Sequence, residues 1–272
     1  MNIVFVGGGN MGRALAGGLL AQGAAPGSLS VVEIDANARK RMHDEFGIAV
    51  TERIEASPLA RADAVVIAVK PQHLRDTASL LAPALSAQLV ISIAAGIRIA
   101  DLSRWLGNYT RIVRAMPNTP ALVRRGISGL FADESVDDDG RKLAESVLAA
   151  VGQVVWCERE QQLDGITAVS GSGPAYVFHF LESMIAAALE LGFSPQQARQ
   201  LAYATASGAV ALAEQSDEPP SALRAQVTSK GGTTAAALAV LEQHGVKAAY
   251  IAAIKAADAR AVELGDMLGR DG

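Results

Sequence analysis

Short apolar runs alternate with helix-length segments through the first 160 residues of the chain. The runs are rich in β-branched side chains, which is typical of buried strands. Helical patterns follow most of them, the first at 13–22. This alternation predicts an α/β domain over residues 1–160, with a doubly wound parallel sheet covered on both faces. The predicted strands are 2–6, 29–34, 63–69, 88–93 and 111–115.

The pattern changes near residue 160, beyond which strand-like runs stop and long Ala-rich helical segments follow. One helix has a complete start signal, with Ser194 as N-cap, Pro195 at the first helical position and Gln197 three residues after the cap. Residues 161–272 are therefore predicted to form an all-α domain. Its predicted helices are 174–191, one that starts at Ser194, 234–243 and 246–268.

The segment 201–213 inside this domain is apolar or small on nearly every side. A helix without a polar face must be buried all round. A small helical domain offers little surface for such burial, so we expect a second copy of the chain to supply it. The sequence therefore predicts a homodimer.

Composition narrows the classes of function. Half of the residues are apolar, 19% are charged and the formal net charge is -4. Nucleic-acid and anionic-membrane surfaces need clustered Lys and Arg, so neither partner is expected and a small-molecule substrate fits better. No apolar stretch approaches the ~18 residues of a membrane helix. The N-terminal sequence lacks the features of a secretion signal.

The cysteine and histidine content excludes two kinds of site. A single cysteine, Cys157, allows no intramolecular disulfide, which is consistent with a cytoplasmic location. The four histidines stand far apart without ligand-like spacing, so we expect no metal site.

The segment after the first predicted strand has the pattern G-x-G-x-x-G, formed by Gly7, Gly9 and Gly12. In this pattern the first glycine permits a tight turn, the second lets the backbone approach a pyrophosphate, and the third allows the helix to pack on the sheet. Amides at the helix start then bind the anion. Gly7, Gly9, Asn10, Met11 and Gly12 are therefore predicted to bind a dinucleotide.

The choice between NADH and NADPH stays open at this stage. Asp35 lies 23 positions beyond Gly12, about where an acidic side chain accepts hydrogen bonds from a ribose 2′-hydroxyl. That position favours NADH. A nearby polar and basic group could instead accommodate a 2′-phosphate, or could simply be a solvated helix face; it comprises Asn37, Arg39, Lys40 and Arg41.

Further residues follow strands at their carboxyl ends, where ligands of doubly wound sheets bind. We assign them to the nicotinamide side, together with one asparagine in a proline-flanked loop. Lys70 is either a proton donor or a solvated lysine. The residues are Ala68, Val69, Lys70, Pro71, Ala95, Gly96 and Asn118.

Two loops of the second half are unusual for helix ends. Residues 168–176 combine two serines and two glycines before a proline, and residues 223–234 end in a hydroxyl-rich double-glycine turn. Consecutive amides at Gly231, Gly232 and Thr233, before a helix start, would form a concave site for a carboxylate. A hydroxyl beside it would hydrogen-bond a ring nitrogen. These are the groups that orient a small cyclic amino-acid-like substrate.

Six segments, read in order, resemble the motifs of the pyrroline-5-carboxylate reductase family. The elements at 116–120 and 227–234 are far more specific than the glycine pattern. Lys230 departs from the family, which usually has Pro there, and Asp35-Ala36 replaces a pair that in many members suits NADPH. The six segments are 6–12, 68–72, 92–96, 114–120, 168–176 and 227–234.

The resemblance implies an N-terminal Rossmann domain and a C-terminal helical dimerisation domain. It implies NADPH- or NADH-dependent reduction of 1-pyrroline-5-carboxylate to L-proline, the last step of proline biosynthesis. Thr234 would hydrogen-bond the substrate nitrogen, and Ser229 with the amides of Gly232 and Thr233 would bind its carboxylate. The active site would form between one subunit's cofactor and the other's helices, and decamers of five dimers occur in the family.

Three other functions compete with this interpretation. A related reductase acting on another imine or a 3-hydroxy acid would keep the first domain, although the hydroxy-acid class would be expected to have a catalytic lysine, and 168–191 contains none. A dinucleotide-binding redox sensor would not need the turn at 227–234. A purely structural oligomerisation module would leave the glycine pattern without a role.

Overall fold

The computed structural model describes residues 1–270 and contains two compact units. The sheet unit comprises residues 1–172 and 257–270, and the helical unit comprises Gly173–Ala256. Residues 161–172 and the end of the last helix thus belong with the sheet. The domain boundary between residues 160 and 161 stays a prediction, since compact units and domains need not coincide.

The described part of the sheet unit has one sheet of eight strands, in the order β3-β2-β1-β4-β5-β6-β7-β8. All neighbouring strands from β3 across to β6 are parallel, β7 is antiparallel to β6, and β8 is parallel to β7. The strands are β1 (Ile3–Val6), β2 (Leu29–Val32), β3 (Ala49–Thr51), β4 (Ala64–Ile67), β5 (Leu89–Ser92), β6 (Ile112–Met116), β7 (Gly126–Ala132) and β8 (Gly152–Trp156).

Helices cover both faces of this sheet, as the α/β alternation predicts. A π-helical turn, Thr167–Gly171, follows the seventh helix. The helices are α1 (Asn10–Ala21), α2 (Ala36–Phe46), α3 (Ala56–Ala60), α4 (Pro71–Leu81), α5 (Ile99–Trp105), α6 (Asp138–Ala149) and α7 (Gln162–Ile166). The 3-10 turns are Pro26–Ser28, Ala82–Ala84 and Thr119–Val123.

The five predicted strands are confirmed, with ends that differ by up to two residues, but the sequence analysis missed β3, β7 and β8. Strand β3 is only three residues long, and glycines interrupt β7. At Gly129 an added Cβ would come 2.8 Å from Ile166 Cγ1, so close packing excludes a side chain from this strand position. The predicted parallel sheet is confirmed, with one departure: residues 117–125 are too short for a crossover, so β7 turns back antiparallel to β6.

The core lies in two layers, one on each face of the sheet. Alternate residues of β1 enter different layers, Phe5 in one and Val4 in the other. Leu15 of α1 packs in the first layer and Leu74 of α4 in the second. Both faces of the central strands are therefore buried, which explains why these strands are continuous apolar runs rather than alternating ones.

The helical unit is built from α8 (Gly173–Glu190), α9 (Pro195–Glu214), α10 (Pro220–Gln226), α11 (Thr233–Gln243) and the first part of α12 (Val246–Arg270). The predicted helix start at Ser194 is confirmed. Its hydroxyl accepts from the Gln197 amide at 3.3 Å, and the Gln197 side chain accepts from the Ser194 amide at 3.0 Å. Helix α9 therefore has both halves of a capping box.

Within a single chain, α9 buries only Ala198 and Ala202. Large apolar side chains of the same helix are exposed, including Val210 at 57% and Leu212 at 59%. The chain itself therefore does not supply the burial that the 201–213 pattern predicts. An apolar surface of this kind is typical of an interface.

A pair of buried ionic contacts joins the sheet to the segment after β8. Arg114 of β6 donates to Glu160 Oε1 at 2.6 Å, and the same oxygen accepts from the Ile99 amide at 2.7 Å. Arg98 pairs with Asp164 at 2.8 Å. Burial lowers the pKa of the Arg114 guanidinium, and the hydrogen bond to Glu160 opposes that shift. Glu160 thus compensates a buried cation.

Replacing Glu160 with Ala is expected to destabilise the protein by about 3–5 kcal/mol, because Arg114 would keep a buried charge without its partner. Urea unfolding of wild type and variant at equal protein concentration measures this loss. Lys142→Ala is the control, since the Lys142–Asp139 pair is exposed and should contribute less than about 1 kcal/mol. Equal small effects of both substitutions would contradict this account of the buried pair.

Candidate active site

The carboxyl ends of β1 and β4 meet where the strand order reverses. The chain proceeds from β1 to β2 on one side of β1, and β4 then pairs with the other side. In this pairing Ile67 of β4 lies opposite Val6 of β1. Just beyond, the Ala68 amide donates to Val6 O at 2.8 Å and the Gly7 amide donates to Val32 O at 2.8 Å. Such a switch point is where doubly wound sheets bind ligands.

The glycine pattern forms the turn between β1 and α1, and two of its glycines are required by packing. Gly7 has φ of +108°, and an added Cβ would come 2.6 Å from Ala68 O. A Cβ on Gly12 would come 2.2 Å from Gly7 O. The turn therefore passes against β4, and α1 lies against the turn, at a distance that only glycine permits.

Gly9 differs from both, because an added Cβ there has no protein atom within 4 Å. It is the N-cap of α1, and no side chain caps this helix. No side-chain acceptor therefore competes for the amides of the first turn of α1. The space beside Gly9, in front of these amides, is open because glycine has no side chain. This geometry fits the pyrophosphate of a dinucleotide. Asn10 is exposed at the helix start, whereas Met11 packs against the core.

Two acidic residues follow β2, and the structure gives them different roles. Asp35 is the N-cap of α2, where Oδ1 accepts from the Ala38 amide at 2.7 Å. Glu33 directly follows the strand, and its Oε2 accepts from the Gly8 amide of the glycine turn at 2.7 Å. The sequence pattern did not single out Glu33, and the cofactor role of Asp35 stays a prediction. The predicted strand ended at 34, two residues too late, which made Asp35 appear to be the first acid beyond it.

The basic group on α2 is partly committed to local contacts. The Arg39 guanidinium donates to the carbonyls of Glu33 and Ile34 at 2.8 and 2.7 Å. Lys40 pairs with Asp44 at 2.5 Å on the helix surface. Asn37 and Arg41 are exposed, as the remaining members of the predicted 2′-phosphate group.

The other predicted cofactor residues lie at the same edge of the sheet. Ala68 and Val69 follow β4, and Pro71 begins α4 directly after the exposed Lys70, which is its N-cap. Ala95 and Gly96 follow β5, the next strand. Gly96 has φ of +80° and packs against Gly265 of α12 in the same unit.

Asn118 is buried beneath this edge, and both ends of its amide are engaged. Its Nδ2 donates to Ser170 O at 3.1 Å, and its Oδ1 accepts from the Ile127 amide at 2.9 Å. The side chain therefore ties the start of β7 to the π-helical turn 167–171. Asn118, which the sequence analysis assigned to the nicotinamide side, therefore holds its loop in place, and its cofactor role stays a prediction.

The turn at 227–234 lies in the helical unit and leads into α11. The Gly232 amide donates to Ser229 O at 3.1 Å, and Gly231 has φ of +72°. An added Cβ on Gly232 would come 2.4 Å from Ser229 Oγ. The serine hydroxyl therefore lies directly over the backbone of the helix start.

Gly232 is also the N-cap of α11, and like Gly9 it provides no side-chain cap. The amides of the first helical turn, including those of Thr233 and Thr234, are thus available to an external acceptor, beside the Ser229 hydroxyl. Thr234 is half-buried in this turn. The turn accordingly combines amide and hydroxyl donors without any charged acceptor of its own, which suits a small carboxylate.

Three further features concern metal ligands, membrane spans and the single cysteine. No three metal-ligating side chains come together within residues 1–270. In the same range no helix is long and apolar enough to span a membrane. Burial raises the pKa of the Cys157 thiol, which lowers its reactivity.

Comparison with known proteins identifies the lineage of the chain. A family model described as pyrroline-5-carboxylate reductase dimerisation matches residues 160–264, and one described as NADP oxidoreductase coenzyme F420-dependent matches residues 2–96. A curated pyrroline-5-carboxylate reductase of Pseudomonas aeruginosa is 44% identical over 269 residues, which cover 98% of each chain. This chain belongs to the pyrroline-5-carboxylate reductase family.

Solved structures of family members have the same fold. A pyrroline-5-carboxylate reductase of Coxiella burnetii superposes with a TM-score of 0.91 at 42% identity, covering 97% of this chain and 98% of that one. The Plasmodium falciparum pyrroline carboxylate reductase, solved with NADP bound, gives a TM-score of 0.87 at 30% identity over the same shares. The Rossmann sheet and the helical dimerisation domain expected from the resemblance are confirmed.

Substitutions at Gly9 and Gly12 separate cofactor binding from folding. Gly9→Ala is expected to keep the melting temperature and weaken dinucleotide binding by about tenfold or more. The new methyl group contacts no protein atom but enters the open space in front of the α1 amides, where the pyrophosphate is proposed to bind. Gly12→Ala should lower both the melting temperature and the dinucleotide affinity, since its methyl group collides with Gly7 O.

Calorimetric titration with the dinucleotide, alongside thermal unfolding, measures both effects. Gly27→Ala is the matched control, because its Cβ also meets no protein atom but lies in the Pro26–Ser28 turn. If Gly9→Ala binds the dinucleotide as tightly as Gly27→Ala does, the dinucleotide does not bind at Gly9.

Proposed function

We propose that this protein reduces 1-pyrroline-5-carboxylate to L-proline with a reduced nicotinamide dinucleotide, as the final step of proline biosynthesis. The observation that carries the proposal is 44% identity with a curated pyrroline-5-carboxylate reductase over 98% of both chains. The uncapped start of α11, beside Ser229, supports it independently, because a redox sensor or a structural module would not need a carboxylate site.

In this proposal the dinucleotide binds across the carboxyl ends of β1, β4 and β5. The amides after Gly9 bind its pyrophosphate, and residues 68–71 with Ala95 and Gly96 lie on the nicotinamide side. When bound, the reduced nicotinamide supplies a hydride. An NADP-bound relative favours NADPH, whereas the acidic residues after β2 favour NADH.

The reduction adds a hydride to the carbon of the C=N bond and a proton to the ring nitrogen, so the imine becomes a secondary amine and the dinucleotide is oxidised. No covalent enzyme intermediate is required. The protein's task is to position the two reactants, which contributes about 7–11 kcal/mol in favourable cases. Ser229 and the amides of Gly232 and Thr233 bind the carboxylate, and the Thr234 hydroxyl hydrogen-bonds the ring nitrogen.

The exposed apolar side chains of the helical unit support a homodimer, in agreement with the dimerisation domain that the family model describes. We place the active site at the subunit interface, with the dinucleotide of one subunit and α11 of the other. A decamer of five dimers and a cytoplasmic location remain predictions. Light scattering of the purified protein tests the first.

Removing the Thr234 hydroxyl tests the proposed mechanism. Thr234→Ala should lower kcat/KM for 1-pyrroline-5-carboxylate by about 100-fold, because a hydrogen bond to the reacting nitrogen strengthens as charge develops there. Thr234→Ser keeps the hydroxyl and should restore most of the activity. The decrease in reduced-nicotinamide absorbance measures the rate.

Thr77→Ala is the control, since Thr77 is half-buried on α4, far along the chain from the turn at 227–234, and its hydroxyl donates to His73 O within that helix. It should match the wild type in rate. Full activity of Thr234→Ala would show that the role assigned to Thr234 is wrong. A wild type that converts no 1-pyrroline-5-carboxylate with either NADH or NADPH would overturn the proposed function.

A further inference from the structure

The Glu33 carboxylate is fixed beside the glycine turn by two backbone hydrogen bonds. Oε2 accepts from the Gly8 amide at 2.7 Å, and Oε1 accepts from the Asp35 amide at 2.8 Å. Gly8 lies between Gly7 and Gly9, the first two glycines of the G-x-G-x-x-G pattern. The negative charge of Glu33 therefore has a defined place at the end of β2, next to the proposed pyrophosphate site.

The position of Glu33 in the chain matches the acid that binds ribose in NAD-dependent Rossmann domains. Glu33 lies 21 positions beyond Gly12 and directly follows the last residue of β2. An acid about 20 residues beyond the glycines accepts the ribose 2′-hydroxyl in such domains. Each carboxylate oxygen accepts more than one hydrogen bond, so both remain able to accept from a hydroxyl.

Asp35, which the sequence analysis favoured for this role, is engaged differently. One of its oxygens caps α2 through the Ala38 amide, and its own amide donates to Glu33. Asp35 thus supports the helix start and the orientation of Glu33. This leaves Glu33 as the acid whose carboxylate contacts the glycine turn.

Two arginines on α1 and α2, the helices next to Glu33 in the chain, are already paired with acids. The Arg39 guanidinium donates to two carbonyls of the same loop, and its other nitrogen lies 3.5 Å from Glu52 Oε2. Arg13, on the first turns of α1, pairs with Glu45 at 2.7 Å. A 2′-phosphate would bring about two negative charges toward the Glu33 carboxylate while these cations are already paired with acids.

We propose that Glu33 selects NADH over NADPH, by accepting a hydrogen bond from the adenosine ribose 2′-hydroxyl and by repelling the 2′-phosphate. The inference rests on the proposed function, because it assigns a selecting residue to the same dinucleotide site. It gives this chain a cofactor preference different from that suggested by the relative solved with NADP bound.

Calorimetric titration of the full-length protein with NADH and with NADPH, without the imine, tests the proposal by binding rather than turnover. The wild type should bind NADH about tenfold or more tightly than NADPH. Glu33→Gln removes the charge at nearly constant size and should bring the two dissociation constants to within about threefold.

Asp35→Asn separates the two acids, because Asn also caps helices and the substitution removes the neighbouring charge. It should keep most of the NADH preference. Glu134→Gln controls for loss of an acidic charge elsewhere, since this exposed residue follows β7, which β1, β4, β5 and β6 separate from β2. Thermal unfolding of each variant checks that it is folded.

Equal or tighter binding of NADPH by the wild type would overturn the role of Glu33, a result that does not depend on any variant. So would an unchanged preference in folded Glu33→Gln, or an equal shift in Asp35→Asn. In each of these cases dinucleotide binding, and with it the proposed function, would stand. Failure of the wild type to bind either dinucleotide would instead overturn the proposed site and the role of Glu33 together.

Discussion

The close approach of β1 and β4 at their carboxyl ends is the constraint on which the candidate site depends. Just beyond Val6 and Ile67, the glycine turn passes within contact distance of the Ala68 carbonyl. Side chains at Gly7 or Gly12 would force this contact apart. The same contact positions the start of α1 at the carboxyl edge of the sheet, so the packing of the core and the proposed anion site share one cause.

Two helix starts without side-chain caps have roles in the proposed function, α1 at the dinucleotide and α11 at the substrate. Glycines precede both α1 and α11, whereas Ser194 caps α9 with its own hydroxyl. A side-chain cap satisfies the first amides internally and stabilises the helix. In the proposed function, the uncapped amides bind a pyrophosphate in one unit and a carboxylate in the other. Helices α4 and α5 also begin without a side-chain cap, so the further feature that α1 and α11 share is a glycine at the N-cap.

The sequence predicts these features unevenly, for physical reasons. Continuous apolar runs identify the central strands because both faces are buried, and the glycine pattern identifies the turn because backbone approach excludes side chains. Strand β7 escaped notice because its glycines serve contacts with other elements, such as Ile166 beside Gly129. The role proposed for Glu33 depends on where β2 ends, and a predicted end two residues too late favours Asp35 instead. Only tertiary contacts reveal that Asn118 joins β7 to the π-helical turn.

The central claim is that the protein transfers a hydride from the dinucleotide to the imine carbon of 1-pyrroline-5-carboxylate. The direct measurement uses a reduced dinucleotide that carries deuterium on the transferred position, with NMR and mass analysis of the product. The account predicts L-proline with one deuterium on the ring carbon that was double-bonded to nitrogen, formed in equal amount to the oxidised dinucleotide. Proline without deuterium, or oxidation of the dinucleotide without proline, would contradict it.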